Sequence, residues 1–153
     1  MNSVVVRTQD DDLKFGLNKE VEVLKILKAK CNHKIELYPK TEEFKYHKFD
    51  YYKKNSKGQV CREYEVKSRR VNSTQYPDYP FEKQKWDYAL KEIRKGVKMY
   101  FVFNLTDGAF LWRLEDPEKQ KNEYRIGTIC NRARGDTIPK PALFIKIKYC
   151  KKL

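Results

Sequence analysis

Long apolar runs are missing from this chain of 153 residues, and nothing in it approaches the roughly 20 residues a membrane-spanning helix needs. The opening MNSVVVRTQDDD has too short an apolar run, and the wrong flanks, for a signal peptide. Histidine is confined to His33 and His47, and neither neighbours an acid and a nucleophile in a recognisable arrangement, so both read as surface or nucleic-acid-facing groups rather than catalytic ones. The four cysteines, Cys31, Cys61, Cys130 and Cys150, never form a Cys-x-x-Cys pair, which leaves zinc and iron–sulfur ligation without support and favours free thiols in a reducing compartment. In that setting the sequons at Asn72 and Asn104 and the Arg134-Gly135-Asp136 tripeptide carry no meaning. Acidic residues are in deficit: 21 against 34 basic ones gives a net charge of +13. A surplus of that size favours a polyanionic partner, nucleic acid before membrane, against the plainer reading of a solvated basic surface.

The length and a hydrophobic content of 40% suit one compact domain, 1–153, with a real core. Asp10-Asp11-Asp12 precedes an amphipathic segment from about Leu13 to Cys31, and acids there suit a helix start. Leu13, Leu17, Val21, Leu24, Leu27 and Cys31 fall on one stripe at helical spacing. Glu20 lies inside that stripe and Glu22 on the opposite side. A carboxylate on a buried face must pair with a core-edge Lys or Arg, snorkel at the margin, or meet a bound cation. A short strand, His33 to Tyr38, follows and is ended by Pro39.

Residues 48–70, KFDYYKKNSKGQVCREYEVKSRR, read as a β-hairpin broken at Asn55-Ser56-Lys57-Gly58. Glu63, Glu65 and Lys67 share one face, while Tyr64 and Val66 take the other. With the turn centred between Lys57 and Gly58, Asp50 stands opposite Glu65. Like charges paired across a sheet are destabilising, and a divalent metal with hard oxygen ligands resolves the conflict. Lys67 then reaches the reacting group beside that metal, as an ammonium favoured by the adjacent carboxylates.

Asp50 followed by Glu65-Val66-Lys67 on the next strand resembles the PD-(D/E)xK nuclease superfamily, with Phe49 in place of the namesake proline. Gly16-Leu17-Asn18-Lys19-Glu20 resembles its first-helix glutamate motif. Gln84 and Tyr88, at i and i+4 on the helix expected over Phe81 to Lys95, resemble the extra motif of the RecB-like and lambda-exonuclease-like branches. An exposed Gln and a half-buried Tyr are the structural alternative. The Glu-Val-Lys-Ser-Arg run looks like archaeal Holliday-junction resolvases.

The resemblance spans about residues 13 to 104. It implies an α/β (α+β) restriction-endonuclease-like core, a mixed central sheet flanked by helices. It also implies a metal-dependent DNA nuclease, with Asp50, Glu65 and the Val66 carbonyl on Mg²⁺ or Mn²⁺ and Glu20 acting through bound water or a second metal. Glu20, Asp50, Glu65 and Lys67 form the catalytic set. A non-catalytic nucleic-acid-binding module of the same fold and a ribonuclease are the competing readings, and a binder has no need of the intact acidic set.

The rest of the chain supplies surroundings. The stretch VNSTQYPDYP reads as a proline-bounded loop whose literal Pro77-Asp78 is followed by no Glu-x-Lys strand. Arg69, Arg70, Tyr76 and Tyr79 beside it could hold phosphates and stack on bases. Val97 to Asn104 is nearly all apolar and reads as a central strand, joined by Thr106-Asp107-Gly108 to a second hairpin arm, AFLWRL. Asp116 to Glu123 is a charged connection. In the closing strand from Ala142 to Cys150, Leu143, Ile145, Ile147 and Tyr149 are expected on one face, with Lys146 and Lys148 on the other. No repeat or second domain is visible. An intracellular protein is expected, cytoplasmic or nuclear, with a phage or virus as the suggested source. The branches it resembles make a homodimer an open expectation, although no seam is apparent.

Overall fold

The computed structural model describes residues 21–39, 49–130, 135 and 137–153. Residues 21–30 are helical (α1) and lead to the short strand β1, Glu36–Leu37. The hairpin follows as β2, Tyr51–Lys54, and β3, Val60–Ser68. Next come β4, Asp78–Glu82, and helix α2, Lys83–Arg94. A second hairpin is built from β5, Lys98–Leu105, and β6, Gly108–Leu114. The chain closes with β7, Tyr124–Ile129, β8, Lys140–Lys146, and β9, Lys151–Lys152. No helix among the described residues is long and apolar enough to cross a membrane.

Six strands form a mixed sheet in the order β1-β2-β3-β5-β6-β9. Its one parallel pair is β3 with β5, and a parallel pair requires a crossover, here supplied by β4 and α2. Strand β5 is buried from Met99 to Leu105, as its continuous apolar run requires of a strand covered on both faces. On one face Tyr51, Tyr64, Tyr100 and Val102 pack with Val23 and Leu27 of α1 and with Ile35. On the other, Met99, Phe101, Phe103 and Trp112 meet Trp86 and Ala89 of α2. Tyr79, Phe81, Leu143 and Ile145 join that second core from an antiparallel sheet of order β4-β8-β7.

Several expectations are corrected. The buried stripe of α1 is Val23 and Leu27, with Leu24 and Ile26 beside it, while Val21 is 54% exposed. Leu13 and Leu17 lie outside the described residues. The expected first strand shrinks to two residues. The presumed loop before α2 holds β4, whose alternate Tyr79 and Phe81 are buried. Prolines masked that alternation, yet Pro80 is tolerated because β4 pairs on one side only, with β8. For the same reason α2 starts at Lys83 rather than Phe81. The closing strand stops at Lys146, where a 3-10 turn over Ile147–Tyr149 carries the chain back to the large sheet. The expected alternation therefore fails beyond Lys146, and Tyr149 is 42% exposed.

Candidate active site

The hairpin puts the key strand in register. Asn55 Oδ1 accepts the amides of Lys57 and Gln59 at 2.9 and 3.0 Å, and Gly58 takes φ +76°, a conformation costly for other residues. The turn is centred on Lys57, half a residue before the expected point, since Lys54 pairs with Val60. An irregularity between Lys53 and Lys54 restores the expected register, so Lys53 meets Arg62, Tyr52 meets Glu63 and Tyr51 meets Tyr64. One step further, the Asp50 amide donates to Tyr64 O at 3.0 Å, and Asp50 Oδ2 accepts the Val66 amide at 2.9 Å. Asp50 is thus fastened beside Glu65.

Glu63, Glu65 and Lys67 line one face of β3, on the side covered by α2. Glu65 is 8% exposed, and its Oε1 lies 3.2 Å from Lys85 Nζ on α2. Its Oε2 is buried with no hydrogen-bond partner among the described residues. Burial first, and then the charge of Asp50, push this carboxyl well above the usual range, while Lys85 and Lys67 pull against the shift. Two facing carboxylates, one with a buried and unpaired oxygen, are a hard-oxygen donor set suited to Mg²⁺ or Mn²⁺. Among the described residues no third Asp, Glu, His or Cys completes a metal-binding group. Glu20, the third expected acid, lies outside the described residues.

Lys67 Nζ donates to Pro80 O at 2.9 Å and sits 5.6 Å from the centre of the Phe81 ring, so β4 holds its ammonium. Burial lowers its pKa to about 8, and Arg69 adds to that fall against the opposing pull of Glu65 and Glu82. The direction is the reverse of what neighbouring carboxylates alone would give, because removal from water outweighs them. Lys67 nevertheless remains largely protonated at pH 7.

The remaining expected residues divide. Arg69 follows β3 and is exposed, its Nη1 donating to Ser68 O at 2.9 Å, and its charge is felt at Lys67. Arg70 is exposed beside it. Val66 is held through its amide by Asp50. Gln84 is exposed in the first turn of α2. Tyr88 does not share its setting: it is half-buried, its ring 5.4 Å from Phe49, and its hydroxyl donates to Glu63 Oε1 at 3.0 Å. Asp78 of the literal Pro-Asp is bound by Arg125, Nε to Oδ2 at 2.7 Å and Nη2 to Oδ1 at 3.1 Å.

Sequence reasoning passed over Lys85 and Tyr38, and gave Glu63 no role beyond its place on the face shared with Glu65 and Lys67. Tyr38 donates to Glu63 Oε1 at 2.6 Å, so Glu63 is gripped by two phenols. Burial and the Glu63 carboxylate raise the pKa of both tyrosines. A signal for two of these partners was present: Lys85 and Tyr88 are three apart on α2 and therefore face one way, toward a strand bearing acids two apart.

No curated protein sequence matches the chain. A solved structure described as D212, a nuclease from a fusselovirus, superposes with a TM-score of 0.55 at 14% identity, covering 99% of this chain and 91% of that one. That likeness shows the restriction-endonuclease-like fold. A protein family described as "Phage putative PDDEXK endonuclease" matches residues 9–150, which takes in Asp50, Glu65 and Lys67 together with every strand of both sheets but β9. The chain therefore belongs to this phage family of PD-(D/E)xK nucleases.

Proposed function

We propose that residues 1–153 form one nuclease domain that hydrolyses phosphodiester bonds of DNA with Mg²⁺ or Mn²⁺, inside a host cell. The observation that carries the reading is the Asp50–Glu65 pair, a half-buried acid fastened beside a buried one, with Glu65 Oε2 unpartnered among the described residues and Lys67 two residues along the same face. Asp50 and Glu65 would hold the cation, with the Val66 carbonyl as a further oxygen and Glu20 as an additional acid. When bound, such a cation supplies Lewis acidity at the phosphate and makes hydroxide available near neutral pH.

The chain's own groups do the rest. Lys67, fixed by Pro80 and Phe81, orients water and stabilises charge on the pentacovalent phosphate. Arg69 and Arg70, exposed at the end of β3, hold flanking phosphates, and the net charge of +13 draws the polyanion in. Gln84, exposed on the first turn of α2, contributes a further polar contact to the strand.

A gel assay compares linear duplex, single-stranded and branched DNA with RNA, each in Mg²⁺, Mn²⁺ or EDTA. Cutting of DNA that stops in EDTA supports the reading, and cutting that persists in EDTA contradicts it. Preferred cutting of RNA reassigns the substrate, and binding without cutting in any metal leaves a non-catalytic module. Lys67→Met is expected to abolish cleavage while sparing DNA binding measured by mobility shift. Full activity in that variant removes Lys67 from the mechanism.

A further inference from the structure

The contact between Lys85 and Glu65 has no part in the proposed chemistry, yet it occupies the place where the cation belongs. Lys85 Nζ lies 3.2 Å from Glu65 Oε1, and its side chain is 30% exposed while that of Glu65 is 10% exposed. The carboxylate is therefore buried and the ammonium has a route to solvent. The backbone beneath Lys85 is fixed, since the adjoining Trp86 and then Ala89 are buried in the core of α2. Only the four-carbon stem is left to move, and lysine is a compact charge on a flexible stem.

Two cations held against one carboxylate repel, the more strongly in a site shielded from water. A divalent ion at Asp50 and Glu65 and the ammonium of Lys85 are consequently competitors. Lys85 is on the first turn of α2, and its partly exposed side chain gives an ammonium displaced from Glu65 access to the solvent side of the site.

We propose that Lys85 is a resident counter-ion. It neutralises Glu65 before metal arrives, yields that place to the divalent cation, and then binds a phosphate of the entering nucleic-acid strand. The inference rests on the nuclease reading above. The exchange links the two events. Phosphate that draws the ammonium away from Glu65 favours the metal, and metal that displaces it favours the phosphate, a reciprocity required of any such coupling.

The test is Mn²⁺ binding by the intact protein without nucleic acid, followed by calorimetry or by the electron-spin signal of free Mn²⁺. Lys85→Met and Lys85→Gln, both confirmed folded by circular dichroism, are expected to bind Mn²⁺ roughly tenfold more tightly than the wild type, as removal of one nearby positive charge implies. Lys85→Arg keeps the charge and should keep the wild-type affinity. The neutral variants should also bind duplex DNA more weakly in Ca²⁺, with the salt dependence reduced by about one counter-ion. Neutral variants that bind Mn²⁺ no more tightly than the wild type overturn the inference and leave the nuclease reading intact. A wild type that binds no Mn²⁺, even with DNA present, overturns both.

Discussion

Glu63 and Glu65 stand two residues apart on the same face of one strand, at 3% and 8% exposure, yet they are held by opposite means. Glu63 accepts two phenolic hydrogen bonds on Oε1, from Tyr38 and Tyr88. Glu65 has an acid beside it and one ammonium on Oε1. The buried Oε2 of each accepts no hydrogen bond among the described residues, so the two differ in the charge of their surroundings: neutral donors around Glu63, an acid and an ammonium around Glu65. An acidic neighbour and an exchangeable cation leave a carboxylate that is stable only with a positive charge nearby. The sequence writes both as Glu on alternate positions, although one meets two phenols and the other an acid and an ammonium.

The sharpest way to break this contrast is Glu65→Gln. Loss of the cation's anchor should reduce cleavage by about 1,000-fold or more, as several kcal/mol of charge stabilisation disappear. The melting temperature of the metal-free protein should be unchanged or higher, because a buried carboxylate loses its like-charged neighbour. A large fall in melting temperature would show that Glu65 is structural after all. Glu63→Ala should do the reverse. One buried and one half-buried phenol lose their acceptor, costing about 3 kcal/mol in denaturant titrations, while cleavage per folded molecule changes little.

Smaller effects sharpen the same contrast. Tyr38→Phe and Tyr88→Phe should each cost about 1–2 kcal/mol, Tyr38 the more because it is the more buried. If Tyr88→Phe instead leaves stability alone and weakens DNA binding, its motif acts on substrate as the RecB-like resemblance implies. The mildest effect is alkaline. Tyr38, Tyr64 and Tyr88 all have phenol pKa values raised above the ordinary value of 10.0, Tyr64 to about 12, chiefly by burial. Their contribution to stability is complete below the unfolded value and is lost as pH rises through the folded ones. Chemical denaturation followed between pH 10 and 12 should show stability falling, and Tyr88→Phe should flatten that fall. An unchanged slope would remove Tyr88 from the account of Glu63.

How legible the site was depends on the range of the interaction involved. Side chains alternate across a strand, so the shared face of Glu63, Glu65 and Lys67 follows from spacing alone, while the register that brings Asp50 to Glu65 needs the irregularity between Lys53 and Lys54 as well as the turn. Strand β5 was equally readable, since nothing but burial on both faces accounts for its apolar run. The amphipathic pattern of α1 was visible but its buried edge was not, because several apolar residues leave two stripes possible until a sheet is placed against them. Strand β4 was hidden by its prolines and needs β8 as a partner before it becomes a strand at all.

The chain's own order of residues determined the hairpin, the common face of its acids and lysine, and the basic surface that suits a polyanion. Tertiary structure alone decided which carboxylate would be satisfied by tyrosines and which by a lysine, and that burial would outweigh neighbouring acids in setting the Lys67 proton. The reason is physical: alternation and turn geometry are local properties of a few consecutive residues. Hydrogen-bond partners and exclusion of water arise only when segments distant in the chain close over the same space.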